Sequence, residues 1–249
     1  MSWKDLNPNW DYHLSEDKEE NNWVNRILSF QESSLLRSWN SLSNEPVMRA
    51  DLWRYLKLLI VGGVYSDMDT RCLKPIETWM ECHLSDHQEI ENNFTKNETT
   101  VEKSLLDWTY KGTEKPSVIV GIEADVGDRA DWEEWWPRPI QLVQWTIAAA
   151  PGHPILIDTL RRLVSTLDLP PISLSNSRLF TEKVAESEAE RIMRVVKATG
   201  PAPFTDAVLR YLGVITRGEV VWNSLRNLPA CGLRIGDVLV LPISGFSPG

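Results

Sequence analysis

The sequence contains few cysteines and histidines, the residues that form disulfides in small proteins or bind transition metals. Three of its 249 residues are cysteine, which is too few and too scattered for a zinc site or a disulfide framework. They allow one disulfide and one free thiol. The four histidines form no ligand cluster either. The cysteines are Cys72, Cys82 and Cys231.

Positive charge and long apolar runs are also scarce. Lys and Arg total 26 against 35 Asp and Glu, so the net charge is −9. Nucleic-acid binding needs a basic face, and this balance argues against it, but an anionic ligand held through a metal ion stays open. Because no apolar run approaches about 20 residues, we expect no membrane span, and no apolar signal-peptide core follows Met1.

The remaining composition is that of a globular chain. Hydrophobic residues make up 42% and charged residues 24%, so a sizeable core can form without staples. We detect no internal repeat. Tryptophan is frequent, at 12 residues, and its rings suit either a core or a sugar-stacking surface. For Trp132, Trp135 and Trp136 we favour core packing, with a sugar-binding edge as the alternative.

Helix and strand patterns alternate along the chain, which predicts an α/β fold in a single domain over 1–249. Polar residues 83–117 predict an exposed insertion, with two glycosylation sequons at Asn93 and Asn97. The predicted helices cover 46–60, 139–150, 154–167 and 181–198, with a short one after Phe204 capped by Thr205 or Asp206. The predicted strands cover 64–69, 117–122 and 238–241.

Asp67-Met68-Asp69 is the main candidate for chemistry. It follows an apolar helix and Gly62-Gly63, and alternation along a strand would point Tyr65, Asp67 and Asp69 to one side. Two carboxylates at that spacing suit a hard divalent cation that also holds phosphates. A D-x-D sequence by itself is more often a pair of solvent-exposed carboxylates. The preceding helix, the Gly-Gly turn and the adjacent tyrosine are what favour a metal site here.

Asp51 and Arg54 form a second candidate pair on the preceding helix. Their i, i+3 spacing places them side by side. A local ion pair is the simpler interpretation. The functional interpretation is a sugar-hydroxyl acceptor beside a cationic donor, both facing the metal site.

These segments resemble a known family. Residues 49–55 followed by 62–70 resemble the DxD sugar-transferase motif, and more closely the fungal initiation-specific α-1,6-mannosyltransferases. The resemblance continues in order through later blocks and covers most of the chain outside residues 83–117. These blocks lie at 72–76, 120–125, 144–146, 151–154, 200–206, 236–238 and 246–249.

The resemblance implies a GT-A fold, in which a Rossmann-like mixed sheet is flanked by helices and the DxD ends a strand at the nucleotide-sugar site. It implies GDP-mannose as donor, Mn²⁺ as cofactor, and retaining transfer of mannose to the 6-hydroxyl of a mannose in an N-glycan. It also implies a type II protein of the Golgi lumen, with other mannosyltransferase subunits as candidate partners.

By position in the motif, the resemblance implies that Asp69 binds the metal directly, while Asp67 acts through the ribose or a metal-bound water. It assigns the donor sugar to Asp51 and Arg54 and the lining of the donor pocket to Tyr65. Weaker candidates, for acceptor binding, are Glu123, Asp125 and Asp206.

The sequence also departs from the family pattern at its ends. It begins after the family's membrane anchor and first strand. It stops at Gly249, before a segment in which we expect a histidine that completes the metal site. The departures support an alternative, a non-catalytic relative that binds glycans or a transferase partner. A glycoside hydrolase fits less well, because neighbouring carboxylates on a strand suit a metal better than a hydrolase pair.

Overall fold

The computed structural model describes residues 2–29, 33–80, 115–167 and 187–247. Six strands and flanking helices confirm the predicted mixed α/β architecture, while the single-domain assignment stays a prediction. The strands are β1 Gly63–Ser66, β2 Val118–Asp125, β3 Ile140–Leu142, β4 Thr146–Ala149, β5 Leu233–Ile235 and β6 Val238–Leu241. The α-helices are α1 Ser2–Leu6, α2 Asp17–Leu28, α3 Ser34–Ser41, α4 Pro46–Val61, α5 Pro154–Leu167, α6 Glu188–Ala198, α7 Pro201–Ile215 and α8 Ile243–Phe246. Single 3₁₀ turns cover Ile76–Met80, Trp132–Glu134 and Trp222–Leu225.

Strand β2 lies at the centre of the sheet, whose order is β1-β4-β2-β6-β5. It runs parallel to β6 and antiparallel to β4, and β3 pairs with its C-terminal half. Strand β1 pairs with β4, with Ser66 opposite Thr146. The strand that leads into the DxD motif therefore lies at one edge of the path.

The two faces of the sheet are covered unequally. Alternate residues of β2 separate accordingly: Val118, Val120 and Ile122 join the main core with helices α4, α5 and α7, whereas Ile119 joins a smaller cluster with Trp79 and Phe246. This is the period-two pattern of a strand buried on both faces. The main core fixes α4, and with it the candidate pair Asp51 and Arg54.

Helix α4 begins and ends as the sequence predicts. Pro46 occupies its first turn, where a missing N–H costs nothing, and Gly62 ends it with a φ of 70°. Gly62 also lies against another segment, because a Cβ there would be 2.6 Å from Pro151 Cδ. The glycine thus allows both the reversal into β1 and the close approach of Pro151.

Outside the DxD motif, three sequence predictions are wrong. Residues 139–150 form β3 and β4 rather than a helix. Helix α7 begins at Pro201 with Gly200 at its N-cap, so Thr205 and Asp206 lie inside it rather than capping a later helix. The Trp132–Trp136 stretch is not core, since Trp135 is 59% exposed and Trp132 and Trp136 are partly exposed.

Several other predictions fall partly or wholly outside the described residues. These are the insertion over 83–114, the sequons at Asn93 and Asn97, and residues 181–186 of the helix predicted over 181–198. Of the cysteines, Cys72 is a buried free thiol and Cys231 is disulfide-bonded. In the part of the chain that the structure describes, no helix is long and apolar enough to cross a membrane.

Candidate functional site

The D-x-D segment forms a turn, not the strand end that the sequence predicts. Strand β1 ends at Ser66, and the Asp67 carbonyl accepts hydrogen bonds from the Thr70 amide at 3.2 Å and the Thr70 hydroxyl at 2.6 Å. A threonine that hydrogen-bonds backbone locally competes with the sheet ladder, which explains the difference. The Asp67 amide donates to the Trp145 carbonyl at 2.9 Å and so holds the turn beside the start of β4.

Arg54 joins the two candidate pairs into one network. Its Nη1 donates to Asp51 Oδ1 at 2.6 Å, and its Nη2 donates to Asp67 Oδ1 and Oδ2 at 3.0 and 3.2 Å. The Tyr65 hydroxyl also donates to Asp67 Oδ1 at 2.8 Å, and the Arg54 guanidinium lies 5.4 Å from the Tyr65 ring centre. The structure therefore brings Asp51, Arg54, Tyr65 and Asp67 together, and their contact with a sugar donor stays a prediction.

Asp51 is almost wholly enclosed, at 1% exposure, and its two carboxylate oxygens are both satisfied. Gln144 Nε2 donates to Oδ1 at 3.1 Å and the Thr199 hydroxyl donates to Oδ2 at 2.6 Å. Gln144 is held in turn by the Tyr55 hydroxyl at 2.6 Å. Asp51 thus binds Arg54 from within the protein interior and holds its guanidinium in position.

The pKa directions in this network show how burial and charge compete. Burial raises the pKa of Asp51, while Arg54 and the Thr199 hydrogen bond act against that rise. Burial lowers the pKa of Arg54, but the two carboxylates and neighbouring tyrosines outweigh it, so the net pKa is raised. Burial also raises the pKa of Tyr65, which stays a neutral donor to Asp67.

Asp69 differs from every other candidate in having no partner. It is exposed, and within the described residues it makes no hydrogen bond or ion pair. It lines a cavity of about 260 Å³ together with Asp67, Thr70 and Trp145. The sequence predicts that both carboxylates of the motif reach one site, and the structure places both on this cavity.

The cavity suits a hard divalent cation that the protein ligates only in part, rather than a metal ion ligated entirely by protein side chains. Among the described residues no group of three His, Cys, Asp or Glu side chains converges on a metal position. Asp69 offers a free carboxylate, whereas both Asp67 oxygens already accept hydrogen bonds from Arg54. Such a donor set suits an ion that takes most of its ligands from water and phosphate oxygens.

The three weaker candidates lie away from this network. Glu123 accepts from Gln141 at 2.8 Å, and burial raises the pKa of Glu123. Asp125 accepts from the amides of Gly127 and Asn227, each at 3.1 Å. Asp206 is paired with Arg138. In the described part of the chain, no hydrogen bond or ion pair links these carboxylates to Arg54, so their role with an acceptor stays a prediction.

Comparison with known proteins shows which proteins the chain is similar to. Residues 1–95 match the glycosyltransferase sugar-binding region containing the DXD motif. The chain is 34% identical over 249 residues to the initiation-specific alpha-1,6-mannosyltransferase of Schizosaccharomyces pombe, an alignment that covers 99% of this chain and 52% of that protein. The chain is therefore similar to DXD-containing glycosyltransferases over residues 1–95, and to these mannosyltransferases over almost all of its own length. The resemblance stated from the sequence is thereby confirmed.

Further comparisons give the extent of the family likeness. The initiation-specific alpha-1,6-mannosyltransferase of Candida albicans is 30% identical, covering 100% of this chain and 59% of that protein. The chain thus spans little more than half the length of these curated relatives. The PaToxG glycosyltransferase structure superposes with a TM-score of 0.46 at 13% identity, covering 88% of this chain and 64% of that one.

The sequence analysis did not identify the residues that are far along the chain from Asp51 but hydrogen-bond to it. Thr199 and Gln144 hold Asp51, although they lie 148 and 93 positions along the chain from it. The block at 144–146 and the Gly200-Pro201 helix start mark these neighbourhoods, but neither pattern says which side chain faces Asp51. Thr70 and Trp145, which line the cavity, were missed as well.

Proposed function

We propose that the chain is a metal-dependent hexosyltransferase that moves mannose from GDP-mannose to the 6-hydroxyl of a mannose in an N-glycan, with retention and with Mn²⁺. The observation that carries the proposal is the cavity at the DXD motif, where Asp69 is unpaired beside an Asp67 fixed by Arg54. The match to the DXD sugar-binding region and the similarity to two α-1,6-mannosyltransferases support a mannosyl substrate.

The bond to be broken sets what the site must do. As a sugar–phosphate bond breaks, negative charge grows on the leaving diphosphate, and a bound divalent cation supplies Lewis-acid stabilisation of that charge. Asp69 would hold the cation directly. Asp67 would hold a ribose hydroxyl or a metal-bound water, since Arg54 and Tyr65 fix its orientation.

Arg54 and Asp51 supply fixed charge beside the reacting sugar. The guanidinium is buried, with 5% of its side chain exposed, so it needs little reorganisation when charge develops nearby. A sugar losing its leaving group becomes positively charged at the ring, and nearby carboxylates favour that state. The Asp51–Arg54–Asp67 network would therefore position the donor and stabilise the transition state together.

Thermal unfolding with GDP-mannose tests the donor site. A ligand at about 100 times its Kd stabilises the native state by about 2.7 kcal/mol, which raises the Tm measurably. We expect a larger rise when Mn²⁺ is present, and we expect Asp69→Asn to abolish this Mn²⁺-dependent part. Asp11→Asn, which alters an exposed carboxylate in the N-terminal segment, serves as the control and should keep the full rise.

Transfer is then measured with a mannose oligosaccharide acceptor. Formation of a 1,6-linked product, lost in Asp69→Asn, supports the whole proposal. Donor binding without any transfer would instead support a non-catalytic, glycan-binding relative. A Tm rise that Mn²⁺ does not increase, or a Mn²⁺-dependent increase that survives Asp69→Asn, would contradict the assignment of the cavity.

We also propose that the protein works in the Golgi lumen with a glycoprotein acceptor. The disulfide at Cys231 supports an oxidising compartment, because cytosolic thiols are kept reduced.

A further inference from the structure

A second concave surface lies among helices α5, α6 and α7, away from the DXD cavity. It has a volume of about 600 Å³, and five cationic side chains line it. We call it the basic cleft. It shares no lining residue with the cavity of Asp67 and Asp69. Its cations are Arg138, Arg161, Arg162, Lys197 and Arg210.

The charge of the basic cleft is opposite to that of the chain. Asp158 and Asp206 are the two acidic side chains in its lining, so the five cations leave a surplus of three positive charges. The chain as a whole carries −9. Concentrated positive charge on an acidic protein creates a local field that attracts anions.

The two carboxylates orient part of this charge. Asp206 takes a bidentate pair from Arg138, with both N–O distances at 2.6 Å, and lies 3.7 Å from Arg162. Asp158 is 3.0 Å from Arg162 and 3.4 Å from Arg210. Three guanidinium groups are therefore held in place around the cleft before any ligand arrives.

Arg161 and Lys197 supply the charge that remains unmatched. Within the described residues neither side chain makes a hydrogen bond or an ion pair. They come from different helices, α5 and α6, and meet at the same cleft. Two cations without a partner among the described residues face one cavity beside oriented guanidiniums, an arrangement that suits a multiply charged anion.

We propose that the basic cleft is a second ligand site, which binds a small molecule bearing a diphosphate or a comparable phosphate group. Planar guanidiniums match the oxygens of phosphate in bidentate geometry, and a lysine adds a compact charge. The volume lies within the range of small-ligand pockets. This inference does not rest on the proposed transferase activity, because the cleft and the DXD cavity are separate.

Isothermal titration calorimetry with inorganic pyrophosphate tests the site. The titration is done in EDTA, so that no divalent ion supports binding at the DXD motif. We expect one saturable site per chain. Its affinity should fall as the salt concentration rises from about 50 to about 200 mM, because salt screens the attraction between the cations and the ligand. The double variant Arg161→Gln/Lys197→Gln should weaken binding by about tenfold or more, since two charge-assisted contacts are lost.

Matched variants make the outcome decisive. Lys18→Gln/Arg191→Gln removes the same charge from exposed positions outside the cleft, and Asp69→Asn alters the DXD cavity. Both should bind pyrophosphate as the unaltered chain does. If the cleft double variant lowers the Tm, the charge reversal Lys197→Glu alone should still weaken binding.

A comparison of GDP with pyrophosphate identifies the source of the phosphate group. Tighter binding of GDP supports a nucleotide ligand, and equal affinity supports recognition of the diphosphate alone. The proposal is overturned if no saturable binding occurs or if the cleft variants bind as tightly as the unaltered chain. Loss of binding in Asp69→Asn would overturn it as well, because the ligand would then occupy the DXD cavity.

Discussion

At the scale of single residues, Arg54 determines how the site is built. A buried guanidinium needs acceptors for its donors, and here Asp51 and Asp67 accept from Nη1 and Nη2, while the buried Nε has no partner among the described residues. The i, i+3 spacing predicts the contact with Asp51, and the D-x-D motif predicts a nearby carboxylate. The sequence does not predict that Asp67 accepts from Arg54, because that contact depends on how β1 leaves α4.

Thr199 gives a prediction at this scale, since its hydroxyl donates to a buried carboxylate oxygen at 2.6 Å. Thr199→Val keeps the volume of the side chain and removes the donor. We expect a loss of about 1–3 kcal/mol in the free energy of unfolding, measured by urea denaturation. Thr199→Ser retains the hydroxyl and is the control. A loss well below about 1 kcal/mol in Thr199→Val would show that the hydrogen bond to Asp51 does not set the cost.

At the scale of elements, local signals were predictable and tertiary choices were not. Pro46 marks the start of α4 and Gly62-Gly63 marks its end, because the backbone preferences of these residues are local. Residues 139–150 have an apolar pattern compatible with either helix or strand. The segment forms strands because β3 pairs with β2 and β4 pairs with β1. The local sequence does not show these pairings.

The α4–β1 junction provides the prediction for this scale. A Cβ at Gly62 would lie 2.6 Å from Pro151 Cδ and 3.0 Å from the Ala149 carbonyl oxygen, so neighbouring backbone would have to move. Gly62→Ala should cost about 2–4 kcal/mol, combining strain at positive φ with overpacking.

Gly63→Ala is the matched control for that substitution. Gly63 also has a positive φ, but its Cβ would meet nothing within 4 Å. We expect it to cost about 1–2 kcal/mol from strain alone. If urea denaturation gives the two variants the same loss, the close approach of Pro151 contributes nothing.

At the scale of the whole molecule, two buried layers and one disulfide hold distant segments together. The main core joins α4, α5 and α7 to the sheet, and Cys231 adds a covalent link. The alternation of strands and helices predicted this layered arrangement. The pairing of three cysteines was not predictable, because sequence spacing does not give spatial distance.

The disulfide allows the proposed location to be measured. Cells are lysed in denaturant with a thiol-blocking reagent, and the protein is then reduced and treated with a second label. Mass spectrometry should find Cys231 carrying only the second label, because an oxidising compartment keeps it bonded. Cys72, a free thiol, is the internal control and should carry the first. Cys231 with the first label would contradict a lumenal location.

The hydrogen bond from Thr199 to Asp51 also has a consequence for biosynthesis. During translation, the motif-bearing segment leaves the ribosome well before Thr199, which lies 148 residues after Asp51. Until then the Asp51 carboxylate lacks one of its donors, so this part of the site cannot reach its final form during synthesis of the N-terminal half. A chimaera that transplants only residues 1–95, the part matched by the family, would carry the motif without Gln144 or Thr199. The recipient protein would have to supply both donors itself.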